Sequence, residues 1–246
     1  MSPRQLARDA RAALRAAADP RVAHSQKSFF KPWEKISLYG LKTPEVKRIE
    51  RELYASVRKS WGFTEALAFC DLLMRDRHLE SKAVGLLVLE RYHRQFEEDL
   101  LATAHGWLED GLCDNWAVTD DLSTGVLWRL LDRFENLAGE LEKWSQSRNL
   151  WVRRAGVVVF VKCAGKGRHL DRTYGIVTAL LPDSHDLIHK ACGWLLREAG
   201  KADARRLERY LLKHGPAVPR TTVRYAIERF PEVKRRRILE RTRRAT

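Results

Sequence analysis

The sequence predicts an all-α fold, organised as a helical-repeat solenoid with a basic concave face. Three observations carry that expectation. Apolar residues recur with the helical period along nearly every long segment, and no stretch alternates as a strand does. The breaks between periodic segments are short: Asp19-Pro20, Gly40 to Pro44, Gly165-Lys166-Gly167, Pro182-Asp183-Ser184, Gly215-Pro216 and Pro231. A cation-led helical pattern also recurs, at Lys82–Leu87, Arg154–Val158, Lys190–Leu195 and Arg224–Ile227, with its leading cations spaced by 72, 36 and 34 residues. The first spacing is two periods, so a further equivalent unit belongs near position 118. Units of this length bury their apolar faces only by stacking on one another.

Taken in order, helices are expected over 3–18, 43–60, 63–75, 79–92, 94–110, 114–132, 135–146, 149–164, 169–181, 185–199, 203–214 and 219–229. Asp19-Pro20 closes the first. Thr43-Pro44-Glu45 opens the next, with threonine as N-cap and proline in the first turn. Ser184-His185-Asp186 starts the Lys190 helix in the same way. No linker is long enough to separate two domains, so residues 1–233 read as one domain and 234–246 as a basic C-terminal tail. From Lys234 to Arg244 that tail has seven cations against one glutamate and reads as a phosphate-binding or solvated segment.

The charge narrows the partners. A formal net charge of +14 exceeds what solubility requires and favours polyanions, nucleic acid ahead of anionic membrane; an Arg-rich but generic basic surface is the plain alternative. No apolar run approaches the roughly 20 residues that cross a bilayer, so a soluble chain is expected. The Arg/Ala-rich start lacks an apolar h-region, contains Asp9 and ends as an ordinary first helix, which argues against a targeting segment. Cys70, Cys113, Cys163 and Cys192 form no C-x-x-C pair and read as reduced core cysteines of an intracellular protein.

The repeat also locates a candidate site. Equivalent helices would set Lys82, Arg154, Lys190 and Arg224 as a rail of cations along one face, able to track a phosphate backbone. The alternative is that they cap or flank helices. At the unit near 118 the cation gives way to Asp114-Asn115-Trp116-Ala117-Val118-Thr119-Asp120. Trp116 and Asp120 are one turn apart on one helix face, about 5–6 Å between Cβ atoms. Alone, such a pair is more often a core tryptophan beside a surface carboxylate; its position in the repeat argues for a reaction centre. His185, His189 and Cys192 share a helix face but lack a fourth ligand and zinc spacing, so His185 reads as a cap and Cys192 as core, with no metal site. Trp33, Trp61, Trp107, Trp128, Trp144 and Trp151 read as packing; the alternative for Trp151, one turn before Arg154, is to border the site.

The same residues resemble a known family. Asn-Trp-x-x-x-Asp at Asn115–Asp120, Trp-x-Arg-Arg-Ala at Trp151–Ala155 and Gly-Trp-x-x-Arg-Glu at Gly193–Glu198 are similar to the DNA alkylation repair enzymes of the AlkD-like type, HEAT-like-repeat alkylpurine DNA glycosylases. Phe30-Lys31 followed by Gly-x-x-Thr-Pro-Glu at Gly40–Glu45 matches the family's N-terminal region, and the resemblance runs from about residue 25 to 230. It implies Asp120 as the catalytic aspartate, Trp116 and Trp194 as active-site tryptophans, and Arg154 as the active-site arginine, best cast as a phosphate clamp. Lys31, Lys82, Arg153, Lys190 and Arg224 are the expected DNA contacts. Two departures stand out: Phe29-Phe30 lie where the family often has a tyrosine, and Thr119 replaces a small aliphatic residue before the aspartate.

The implied activity is monofunctional hydrolysis of the N-glycosidic bond of cationic N3- or N7-alkylated purines in duplex DNA. It needs no cofactor, leaves an abasic site and proceeds without flipping the base into a deep pocket. An alkylated purine already carries positive charge, so it leaves without the acid that glycoside hydrolysis usually needs. One carboxylate then suffices to stabilise the cationic sugar and guide water. A monomer in the bacterial cytosol or nucleoid is the expected context. A non-catalytic HEAT-like protein that recognises damaged or branched DNA is the main alternative, and a protein-interaction scaffold a third; the strong salt dependence of phosphate-driven binding separates them.

Overall fold

The computed structural model describes residues 1–34 and 36–243, which divide into two compact units, Met1–Phe134 and Glu135–Thr246. All regular elements among the described residues are helical, consistent with a helical-repeat solenoid; the one strand-like feature there is an isolated bridge between Ser37 and His78. No helix among them is long and apolar enough to cross a membrane.

In the first unit, α1 (Pro3–Ala16) is capped by the Ser2 hydroxyl, which accepts the Gln5 N–H, and buries Leu6, Ala7, Ala10 and Leu14 along one stripe. Arg11 ties that helix to the end of α4 (Phe63–Met74), donating to Asp76 at 2.7 Å and to the Leu72 carbonyl at 2.7 Å. Burial alone would raise the Asp76 carboxyl, but the His78 N–H and the Arg11 guanidinium outweigh it and hold the group at about 2. A short helix, α2 (Pro20–Lys27), was not expected. Its N-cap is Asp19, so Asp19-Pro20 begins a helix rather than merely ending one. It has no buried residue and hence no apolar period to read.

The helix α3 (Thr43–Val57) starts one residue earlier than the threonine cap implied; Lys42 is the N-cap, and Glu45 accepts its N–H. The segment before it is fastened by the buried Glu80 of α5 (Leu79–Arg91), whose carboxylate accepts the N–H groups of Tyr39, Gly40 and Leu41 at 3.0, 2.8 and 3.2 Å. Gly40 has φ +88°, and a Cβ there would lie 2.1 Å from the Asp19 carbonyl oxygen, so only glycine fits this crossing. Beyond α6 (Leu100–Glu109), a continuous helical stretch runs through α7 (Trp116–Asp121), a π-helical segment (Leu122–Leu127) and α8 (Trp128–Arg133).

In the second unit, α9 (Ala138–Trp144) packs on α10 (Leu150–Val158). The helix expected over 149–164 is two: after the fully buried Val159 and Phe160 the chain restarts as α11 (Val161–Gly165). No proline or glycine marks this break. The long α13 (Asp186–Ala202) forms the centre, packing against α10, α11, α12 (Leu170–Ala179), α14 (Ala204–His214) and α15 (Arg220–Ala226). Gly193 allows the closest of these approaches: a Cβ there would sit 2.5 Å from the Tyr225 Cβ and 2.9 Å from the Thr222 carbonyl oxygen. The basic C-terminal segment is largely a helix, α16 (Glu232–Arg241), anchored by the buried Ile238 and by Lys234 and Arg237 on Glu208 of α14. Arg244, one of the cations counted there, lies outside the described residues.

The four cysteines are buried, as expected of core cysteines. Burial pushes the thiols of Cys113 and Cys192 up to about 12.

Candidate active site

The helix bearing Trp116 and Asp120 is built by local polar chemistry. Asn115 is its N-cap, and the side-chain oxygen accepts the Val118 N–H at 3.0 Å. Thr119 is fully buried, and its hydroxyl donates to the Cys113 carbonyl at 3.2 Å, bracing the loop that enters the helix. An aliphatic residue there would lack that brace. Directly after Asp121 the ladder loosens into the π segment. The hydroxyls of Ser123 and Thr124 donate to the Thr119 and Asp120 carbonyls at 2.6 and 2.8 Å, so side chains satisfy acceptors next to the wider turn. Such segments recur at functional sites in proteins generally.

Trp116 is backed from the N-terminal region. Its indole stacks on Phe30, with ring centroids 5.2 Å apart and an interplanar angle of 25°. The buried Glu34 links the two elements, accepting the Lys31 N–H at 2.7 Å and the Trp116 N–H at 3.4 Å. The phenylalanine found where the family often has tyrosine therefore supports a tryptophan. Lys31 itself is exposed, as are Phe29 (71 %) and Trp33 (52 %). Trp33 is thus more open than a packing tryptophan, whereas Trp61, Trp107, Trp128 and Trp144 are buried as expected.

Lys82 departs from the expected phosphate rail. It is 6 % exposed; its ammonium donates to the Leu112 carbonyl at 2.5 Å and lies 3.8 Å from Asp114. It holds the loop that leads into α7, and no open face remains for a phosphate. A neighbouring acidic group was not foreseen. Asp121 reaches solvent, yet protein crowds it: burial first, then the charges of Asp120 and Glu90, raise its carboxyl to about 6, against the opposing pull of Lys47. Beside it opens a cavity of about 500 Å³ lined by Lys47, Arg51, Tyr54, Glu90, Arg91 and Arg129, among others. Glu50 neutralises Arg91 at 2.8 Å, and Glu90 neutralises Arg129 at 2.9 Å. Lys47 and Arg51, one turn apart on α3, have no ion pair among the described residues. That i, i+4 spacing was the available signal, but it lay outside the repeat's cation positions.

In the second unit, Arg154 repeats the geometry of Lys82. It is 5 % exposed and donates to the Leu187 carbonyl at 2.5 Å, bracing the start of α13. This burial makes it a brace rather than an exposed clamp. Trp194 lies two turns further along α13 and is half-buried. Arg153, an expected DNA contact, is also engaged: it pairs with Asp183 at 2.8 Å and donates to the Ser147 carbonyl. Lys190 pairs with Asp186 at 2.9 Å and stays partly open. Arg224 alone of the four rail cations is exposed with no carboxylate partner among the described residues. His185 caps α13, accepting the Leu187 N–H at 3.2 Å, and burial lowers its affinity for a proton. His189 contacts the Asp183 carbonyl at 2.5 Å. Among the described residues no three acidic, histidine or cysteine side chains converge as metal ligands.

Comparison with known proteins agrees with this architecture. No curated protein matches the chain. A solved structure described as a predicted DNA alkylation repair enzyme from Enterococcus faecalis superposes with a TM-score of 0.74 at 13% identity, covering 87% of this chain and 97% of that one. At that identity the likeness is one of fold. The model of the family described as DNA alkylation repair enzyme matches residues 10–230, most of the sequence. The chain therefore belongs to the DNA alkylation repair enzyme family.

Proposed function

We propose that this protein is a monofunctional DNA glycosylase that releases cationic N3- and N7-alkylpurines from duplex DNA. The observation that carries this reading is the Trp116/Asp120 face: an indole and a carboxylate one turn apart, on a helix capped by Asn115 and supported from behind by Phe30 and Glu34. As the C1′–N bond breaks, its electron pair passes to the purine and cancels the formal charge, so no acid is needed. The Asp120 carboxylate stabilises the positive charge that develops on the sugar. Water then bonds to C1′ and gives its proton to that carboxylate. The Trp116 face adds cation–π stabilisation of about 0.5–2 kcal/mol, larger as water is excluded.

The remaining residues divide by accessibility. Lys31, Lys190 and Arg224 are the phosphate contacts in this reading, joined by Lys47 and Arg51 of the first-unit cavity. Lys82, Arg153 and Arg154 are positioning residues; Lys82 orders the approach to Trp116, and Arg154 orders the helix that carries Trp194. Trp194 offers its partly exposed face to the DNA. Such a protein acts as a monomer, without cofactor, beside DNA in the bacterial cytosol.

The test is base release from a duplex containing N7-methylguanine, read as strand breaks after alkali. Excision is expected. Salt-sensitive binding to the duplex with no base release would instead favour the non-catalytic DNA-binding reading.

A further inference from the structure

Several arginines near the C-terminal end of the second unit have acidic partners. Arg206 pairs with Asp171, Arg237 with Glu208, and Arg235 and Arg236 with Glu232. Arg220, Arg224 and Arg243 are not paired in this way, nor are Arg205, Arg209, Arg229 and Arg241 among the described residues; what sets the first three apart is that they gather around Arg220. No ion pair joins any of them to a carboxylate among the described residues, and Arg224 and Arg243 both stand close enough to act on Arg220 electrostatically. Arg220 and Arg224 are one turn apart on α15, about 5–6 Å between Cβ atoms. Arg243 is brought to them by its neighbour. The buried Thr242 gives its hydroxyl proton to the Ile238 carbonyl at 2.7 Å and accepts a hydrogen bond from Arg220 Nη1 at 3.0 Å. That bond fixes the Arg220 guanidinium where the end of α16 delivers a third one.

We propose that Arg220, Arg224 and Arg243 form a phosphate-binding site, occupied by a backbone phosphate of duplex DNA. Three like charges gathered without counter-charge among the described residues repel one another, and an anion removes that cost. Guanidinium groups suit the task because they present paired N–H donors to phosphate oxygens. The lost hydration of Arg220, together with its cationic neighbours, lowers its affinity for a proton, consistent with a field that attracts anions. Thr242 and Arg243 lie beyond the residues matched by the family model, which end at 230. The third arginine and its brace are thus supplied by the C-terminal helix and the turn after it. The proposal rests on the DNA-handling reading above but concerns footprint, not chemistry.

The experiment compares full-length wild type with Arg243→Gln and Arg243→Lys. It measures the affinity for undamaged duplex across a salt series, together with melting temperature with and without inorganic phosphate at constant ionic strength. For Arg243→Gln we expect a melting temperature without phosphate equal to or slightly above that of wild type, because one repelling charge is gone. The slope of log affinity against log salt should become shallower by about 1, and binding near 0.1 M salt about tenfold weaker, as one fewer released counterion implies. Arg243→Lys should recover most of the slope. A steep slope identical in wild type and Arg243→Gln would overturn the site while leaving the DNA-handling reading intact. A wild type that binds duplex without salt dependence would overturn that reading and, with it, this occupant. Stabilisation of wild type alone by inorganic phosphate, with unchanged DNA slopes, would make the occupant a free anion and contradict the proposal.

Discussion

Lys82 and Arg224 head equivalent segments of the internal repeat, and the structure uses them in opposite ways. Lys82 is buried and reaches 30 residues ahead to the Leu112 carbonyl. Arg154 does the same across 33 residues, to Leu187. Arg224 stands in solvent without an acidic partner among the described residues. The repeated cation is therefore first a structural device: it satisfies a backbone acceptor at the start of a later helix or in the loop before it. Where nothing is bridged, the same cation is left available to an external anion. A repeat in sequence need not be a repeat in function.

The largest expected effect separates these uses. Lys82→Ala should cost about 3 kcal/mol in chemical denaturation, because the Leu112 carbonyl loses its charged donor and the buried methylene stem loses its packing. Arg224→Ala should stay within about 0.5 kcal/mol of wild type. Equal losses would dissolve the distinction. The close approach of α15 to α13 gives the next effect: Gly193→Ala should cost about 2–3 kcal/mol, since its Cβ meets the Tyr225 Cβ and the Thr222 carbonyl. A melting temperature within one degree of wild type would show that the pair repacks freely.

A smaller effect depends on pH. The Asp121 carboxyl is raised to about 6 in the folded chain from an ordinary value of 3.8. Between those values the folded state holds more protons than the unfolded state, so stability falls as pH rises through the window and levels off above it. Solvent contact screens the group, so Asp121→Asn should gain about 1 kcal/mol at pH 8 and nothing at pH 3. A gain of the same size at both pH values would show that charge is not its source. Smaller still is the support behind the indole: Phe30→Leu should cost about 0.5–1.5 kcal/mol of stability through loss of the stack on Trp116, and an unchanged unfolding midpoint would contradict that contact.

The helices with apolar stripes were legible from spacing alone, as in α1 and α13. Those without a stripe were not. α2 buries nothing, and α16 buries only Ile238 beneath its arginines, so polarity concealed both. The break at Val159-Phe160 carries no local signal because both residues are fully buried and pack wherever the chain places them. At the candidate site, Trp116 and Asp120 were legible because they interrupt a repeat. The Phe30 stack, the Glu34 link and the crowding of Asp121 are contacts across 30 to 90 residues, which no local pattern encodes. Charge showed which side chains were cationic, but burial determined which of them remain open to a phosphate.

The most direct measurement is a paired assay of Asp120→Asn and wild type on one duplex containing N7-methylguanine, following base release and binding together. The account predicts release by the wild type, at least a hundredfold slower release by the variant if the carboxylate supplies about 3 kcal/mol or more of transition-state stabilisation, and binding within a few-fold. Release at the wild-type rate by Asp120→Asn would contradict it.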